Sequence, residues 1–573
     1  MTLQPRNLTG HTITPMTIPD MRPNPANLQK QLIQGRSACL YFVYVTDITH
    51  SIPGFLHEAT YFLNHSIVTR KANAMFSLNS NVLRIFLGCS LVATTCLVIK
   101  VLHNLLLHPN RSFPGPILAR ATVVISHWKT LQGTSHIWLS ELHAKYGPVV
   151  RFAPNELSFI DPGVWKDVYG HGAASFTKEK ASYGPDAYGN PPGLIRSDNI
   201  NHARQRKLVS HAFSDKALKA QEQLLKGHVE ILVQKLKEAA LRDGQANLVD
   251  WYNFTTFDIM GDLTFGETLG QLATAVYSPW VKAAFSYVKV ISIGRVSRGW
   301  PGMTRLLNAC APKDMKAKRQ THLDYSKNHV DKRMARKTDR PDIWTFVMKH
   351  SETEGKHLAP TELHSNGQLF MFAGTETTAT ELSGLTYILL KNPEKMERLV
   401  DEVRGAFTSF NDMSMSRLAQ LNFLNACLEE GLRMYPPLPV GLPRVTPVGG
   451  SAVCGHWVAG GTSVQCPMYA ANYSPLNWKN PALFRPERFM PEGIAEYALD
   501  RKAALNPFSF GPRNCLGKNL AYHEMRLILA SVLFHFNLAL KDEQQDWLDH
   551  KVHVLWDKGP LVVKLSPVQG LAR

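Results

Sequence analysis

From Ile85 to Ile99 the chain carries no charge, and between Val82 and Leu107 its basic groups are Arg84, Lys100 and His103 alone. This run limits the possible folds more than any other feature. At 1.5 Å rise per residue, about 20 apolar residues cross the hydrocarbon of a bilayer. Arg84 and Lys100 stand near the ends, where their long side chains can reach the interface. "HPNRSFPGP" follows, and Pro109, Pro114 and Pro116 forbid continued helix. The pattern predicts a transmembrane anchor over residues 82–107, a stiff proline hinge over 108–116 and a water-soluble body over 117–573. A buried core helix is the other reading of the same run. Arg70 and Lys71 before it and Arg111 and Arg120 after it leave its orientation unread.

Residues 1–80 read as an extension outside the fold, disordered or mis-annotated. They are polar with prolines, then mildly apolar in "CLYFVYVTDI", and carry no motif. Met75 opens "MFSLNSNVLRIFLG", itself a sensible N-terminus. If the leader is lumenal, Asn7 in "NLT" and Asn64 in "NHS" are possible glycosylation acceptors, a pattern common by chance.

The body reads as mainly α with a small β portion. "YGPVVRFAPNELSFID" gives two short strands, Val149 to Phe152 and Glu156 to Ile160. Residues 201–244 show leucine and valine at three- and four-residue steps and end in a glycine. Residues 361–393 form a long pattern that is apolar all round, as expected of a central buried helix. A last helix starts near Cys515, with Leu516, Leu520, Ile528 and Val532 on its apolar stripe. The net charge of +17 favours acidic partners. No basic cluster with interleaved aromatics occurs, which argues against nucleic acid. The eight cysteines contain no CxxC pair, so neither a zinc site nor a disulfide framework is indicated.

One cysteine stands in a distinctive setting, "NPFSFGPRNCLGKNLA" at 506–521. At a helix N-terminus the backbone N–H groups lower a thiol's pKa and favour the thiolate. Gly517 has no side chain to keep those N–H groups from the sulfur, and Gly511 permits a turn that other residues resist. Phe508 can wall off water, and Arg513 suits a carboxylate. A metal-bound thiolate beside a carboxylate-bearing cofactor meets all these features. Haem needs both an axial ligand for iron, here Cys515, and partners for two propionates.

Two further segments precede the loop. In "AGTETT", Ala373 to Thr378, Gly374 would let a flat cofactor or dioxygen approach the backbone, and Thr377 can bond the Ala373 carbonyl and loosen the helix. Glu376 adds an acid. In "EEGLRMYPP", Glu430 and Arg433 are three apart and share a helix face.

"FSFGPRNCLG" resembles the haem-binding loop of the cytochrome P450 monooxygenases and meets every fixed position of FxxGxRxCxG. The resemblance implies the cytochrome P450 fold behind an N-terminal transmembrane helix, with haem b bound through Cys515. "AGTETT" is similar to the family's oxygen-activating motif, which implies that Glu376 and Thr377 guide protons to bound dioxygen. Glu430 and Arg433, joined by Arg488 of "PERF", match the family's structural triad. "NHARQRK" is similar to the helix that usually supplies propionate contacts, with His202 where tryptophan is common and then Arg206. Arg444 in "GLPRVTP" matches a further propionate partner.

The resemblance covers about residues 110–566 and implies a monooxygenase fed by an NADPH-cytochrome P450 reductase, since the chain has no nicotinamide or flavin fingerprint. Lys518 and Arg206 suit an acidic docking face. It further implies a single-pass protein of the endoplasmic reticulum membrane with a cytosolic catalytic domain. "HARQRKLVSHAFSDKAL" and "FDIMGDLTFGE" resemble a filamentous-fungal branch of secondary metabolism that includes hydroxylases of trichothecene-type terpenoids. The expected substrate is an apolar polyketide or terpenoid. Its pocket is expected to draw on Tyr183 to Ile195, the helix near Phe370 and Ala373, residues 439–442 and the loop near Gly559. The alternatives are a haem-thiolate isomerase or dehydratase, and a non-enzymatic, membrane-tethered haem sensor or carrier.

Overall fold

The structure, a computed structural model, describes residues 82–569 apart from 174–175, 185–191, 356 and 544–545. The extension at 1–80, with Asn7 and Asn64, lies outside the described residues, as does part of the expected pocket segment between Tyr183 and Ile195.

The charge-free run forms helix α1 (Val82–Leu107), 26 residues long and apolar enough to cross a membrane. Its large side chains, Phe86, Leu91, Leu97 and Ile99 among them, are exposed. Its last turn is tied down. Asn104 Nδ2 donates to the Ala121 carbonyl at 2.8 Å, and Arg151 Nη2 donates to the Asn104 carbonyl at 3.0 Å. The proline segment that follows is more than a spacer. Asn110 is buried and donates to Thr462 Oγ1 at 2.7 Å, and Arg151 N donates to the Pro114 carbonyl at 2.7 Å.

The body's main sheet holds five strands: β1 (Val149–Ala153), β2 (Glu156–Phe159), β3 (Thr177–Lys178), β4 (Arg444–Val445) and β5 (Ser463–Gln465). Their order is β1-β2-β5-β4-β3, antiparallel except for the β2/β5 pair. Valines and aromatics suit this buried, pleated surface. The β3/β4 register sets Lys178 opposite Arg444. A second sheet joins Gln245–Asn247, Val562–Pro567 and Phe536–Leu540, so the end of the chain returns to the body's middle.

Seven of the body's helices frame the site: α2 (Asn199–Val209), α3 (Asp215–Asp243), α4 (Leu248–Phe265), α5 (Pro279–Arg298), α6 (Pro360–Leu390), α7 (Asn422–Met434) and α8 (Lys518–His535). The helical pattern at 201–244 covers two helices, α2 and α3. A tighter turn at Ser210–Phe213 separates them, and Ser214 turns extended and caps α3 by accepting from Ala217 N at 3.4 Å. The central helix α6 starts at Pro360 in the N1 position, with Glu362 reaching back to Ala359 N at 2.9 Å. It is buried on every side from Thr378 to Leu389 and packs against α4, α7 and α8. An all-round apolar helix has no solvent face to offer, so it becomes the axis of the core.

Candidate active site

The cysteine loop is held by its own backbone and by α2. Cys515 N donates to the Phe508 carbonyl at 2.8 Å. Gly511 has φ +71°, and a Cβ there would overlap the Tyr169 carbonyl oxygen. Only glycine meets both conditions. Arg206 of α2 spends both terminal nitrogens on Asn514: Nη1 donates to its carbonyl at 2.7 Å and Nη2 to Oδ1 at 2.5 Å. It therefore braces the loop from the residue next to Cys515, where the sequence reading expected a propionate contact.

Cys515 lies deep in the body, yet its side chain is solvent-accessible. The expectation of a lowered thiol pKa is not met in the protein alone. Burial pushes it up, while the Gly517 N–H, Arg206 and Lys518 pull it back. Helix α8 begins at Lys518, three residues after the cysteine, so the thiol receives only part of the helix-end potential. Iron coordination would deprotonate it outright.

Four basic side chains gather near the loop. Arg513 Nη2 donates to the Ser197 carbonyl at 2.8 Å and to Asn199 Oδ1 at 2.9 Å, while its Nη1 is buried with no partner. Arg444 stands over the rings of Tyr169 and Tyr183, 5.2 and 5.7 Å from their centres. Lys178 donates to the Ile195 carbonyl. Burial, then Arg444 and Arg513, push the Lys178 ammonium well below its usual range. Burial and the repulsion of Arg444 lower Arg513 to about 10. His202 is pushed to about 3 by burial, with Arg513, Lys178, Arg206 and Arg444 adding to it. Asp198, which acts on Arg513, is spent on capping α2, accepting from Asn201 N at 2.9 Å. An accessible buried sulfur, an orphaned guanidinium nitrogen and mutually repelling cations fit an iron porphyrin with two propionates. Lys178 was not foreseen. A lone lysine in "FTKEK" carries no signal of the strand register that sets it opposite Arg444.

On α6, Ala373 is exposed and Thr377 is partly so, its Oγ1 donating to the Ala373 carbonyl at 2.7 Å. Gly374, expected to let a flat cofactor approach, also has a packing task. A Cβ there would stand 2.6 Å from Met260 Sδ, so its missing side chain admits helix α4. Glu376 is buried, and Lys558 donates to its Oε1 and, at 2.5 Å, to Thr380 Oγ1. Lys558 was likewise missed; "DKGP" signals only a turn. Thr378, next to Thr377, bonds Glu524 of α8, whose carboxyl burial raises to about 8.

The triad is buried in full. Arg433 grips Glu430 with two bonds of 2.7 and 2.8 Å, and Arg488 Nε donates to Glu430 Oε1 at 3.2 Å. Asp500, unforeseen, accepts from Arg488 Nη1 at 2.6 Å. The Asn472, Pro481 and Leu483 carbonyls take the remaining Arg433 N–H groups. A charge cluster this complete ties α7 to the segment from Asn472 to Asp500 and leaves no group for chemistry.

The Cytochrome P450 family model matches residues 114–565. The cytochrome P450 monooxygenase efuB of Hormonema carpetanum is 45% identical over 478 residues, 82% of this chain and 94% of its own. The cytochrome P450 monooxygenase FUM2 of Gibberella moniliformis is 44% identical over 470 residues, 81% of this chain and 99% of its own. The cytochrome P450 monooxygenase lcsI of Purpureocillium lilacinum is 40% identical over 494 residues, 84% and 94% of the two chains. With the cysteine loop, the acid–threonine helix and the buried triad in place, the chain belongs to the cytochrome P450 family and is an oxygen-incorporating haem monooxygenase.

Proposed function

We propose that this enzyme carries haem b and hydroxylates an apolar secondary metabolite, a polyketide or terpenoid. Its electrons come from an NADPH-cytochrome P450 reductase at the cytosolic face of the endoplasmic reticulum. The observation that carries the reading is Cys515, accessible at the mouth of α8 beside a group of basic side chains in which Arg513 Nη1 is buried without a partner. Bound haem supplies dioxygen activation, with thiolate ligation favouring O–O cleavage.

The chain's own residues divide the remaining tasks. Arg513, Arg444, Lys178 and His202 hold the propionates. Arg206 fixes the loop through Asn514, and Phe508 screens the sulfur side. Ala373 and Thr377 face the reacting side, where Thr377 holds a proton on Oγ1 and Glu376 supplies it. Lys518, exposed and 5.9 Å from the centre of the Phe508 ring, offers a positive contact to the acidic reductase. The substrate pocket draws on Tyr183 to Ile195, Phe370, residues 439–442 and the loop near Gly559. Helix α1 provides the single membrane span.

The test is Cys515→Ser. The reduced, carbon-monoxide-bound spectrum of the wild type shows thiolate ligation, and the variant loses it. An unchanged Soret band with normal oxidation rates overturns the reading. A requirement for NADPH and reductase separates monooxygenation from isomerase or dehydratase chemistry, and product turnover separates both from a sensor or carrier. Metabolite profiles after gene deletion in the producing host identify the substrate.

A further inference from the structure

Lys558 lies 182 residues from Glu376 in sequence, and the two meet inside the protein. Their side chains are only 3% and 6% exposed. Lys558 comes from the loop between strands Leu555–Trp556 and Val562–Pro567, which is fastened on three sides. Asp557 pairs with Lys289 of α5 at 2.8 Å. Gly559 N donates to His550 Nε2 at 3.1 Å, and Trp547 Nε1 donates to the Gly559 carbonyl at 3.1 Å. The lysine therefore enters the core from a held backbone, and one ammonium spans Glu376 and Thr380 on α6.

Burying an ion pair costs several kcal/mol of desolvation per ion, and apolar residues of the same volume would stabilise the core as well or better. The Glu430 cluster offsets that cost with a full set of hydrogen bonds. The Glu376 pair does not, because Glu376 Oε2 is buried and has no partner. One oxygen is clamped and the other is open, an arrangement suited to an acid that must be fixed in space and still exchange a proton.

We propose that Lys558 is a positioning residue for oxygen activation: it fixes the rotamer of Glu376 through Oε1, leaves Oε2 as the proton-exchanging oxygen, and joins the acid on α6 to the C-terminal loop. The inference rests on Glu376 as the proton-delivering acid. Without Lys558 the carboxyl loses its fixed rotamer, proton supply falters, and consumed dioxygen leaves as hydrogen peroxide.

The experiment uses the full-length holoenzyme reconstituted with an NADPH-dependent reductase, NADPH and dioxygen, with no added organic substrate. Lys558→Met, Lys558→Arg, Glu376→Gln and the Glu376→Gln/Lys558→Met double variant are compared. Thermal midpoints reveal the pair itself. Lys558→Met lowers Tm by about 5 °C, and the double variant recovers most of the loss, because an unpaired buried charge costs more than no charge. Peroxide released per NADPH reports the role and rises about threefold in Lys558→Met, the mark of an impaired proton donor. Lys558→Arg restores it, and the carbon-monoxide band stays in place. Strictly additive Tm changes overturn the pairing. A wild-type peroxide ratio in Lys558→Met beside a raised one in Glu376→Gln overturns the positioning role and leaves Glu376 its task. A wild-type ratio in Glu376→Gln overturns that task and this inference with it. If Lys558→Met does not retain haem, Lys558→Gln is read by the same outcomes.

Discussion

Gly511 occupies left-handed backbone, φ +71°, against the Tyr169 carbonyl. Gly511→Ala meets both strain and overlap, and an expected loss of about 3 kcal/mol would appear as a lower Tm and a smaller carbon-monoxide difference band. Lys178 gives a prediction of two signs. Lys178→Met removes a repelling charge, so the haem-free protein gains stability. The holoenzyme loses a propionate partner and releases haem roughly tenfold faster, the scale of one charge-assisted hydrogen bond. Transfer of haem to an acceptor protein measures the second effect, and apo-protein Tm the first. Cys515, Arg513 and Glu430 were legible because their neighbours recur at set spacings within one segment. Lys178, Lys558 and Asp500 were not. Each acts across a contact that strand register or chain return creates, and local sequence does not encode such contacts.

At the level of helices, α6 shows what pattern reading captures and what it does not. Its existence, burial and place before the cysteine loop follow from an apolar pattern longer than any surface helix shows. The purpose of Gly374 does not, since a glycine inside a helix admits a ligand or a neighbouring helix equally well, and here it admits α4 through Met260. Gly374→Ala is expected to cost about 1 kcal/mol in urea unfolding, because the methionine tail can shift, and to leave the haem spectrum unchanged. Glu430→Gln has a different scale. It leaves Arg433 and Arg488 buried without their shared carboxylate, and about 3–5 kcal/mol should go from unfolding stability. The helical pattern at 201–244 divides into α2 and α3 for a local reason. Ser214 can cap a new helix, and apolar spacing alone does not register that the chain restarts there.

For the molecule as a whole, pH acts through buried groups of opposite sign: Glu524, raised to about 8, gains as pH falls, while the buried histidines lose. Burial holds His136 at about 4 and His143 at about 4, so both stay neutral in the folded protein below the ordinary histidine value of 6.5. The unfolded chain protonates them first, so their contribution to stability falls as pH drops from about 6.5 towards about 4, by roughly 1 kcal/mol for each at about pH 5.5. Urea midpoints at about pH 7.5 and about pH 5.5 measure the difference, and His143→Gln, which keeps a partner for Ser158, reduces it. The crowded cations around Arg513 bear on how the protein matures in the cell. Until a dianion arrives, the newly made chain works against its own electrostatics, and porphyrin uptake becomes the closing step of assembly rather than an addition to a finished scaffold. A cell short of iron would then hold less of the polypeptide, because quality control would clear molecules that never received their pigment.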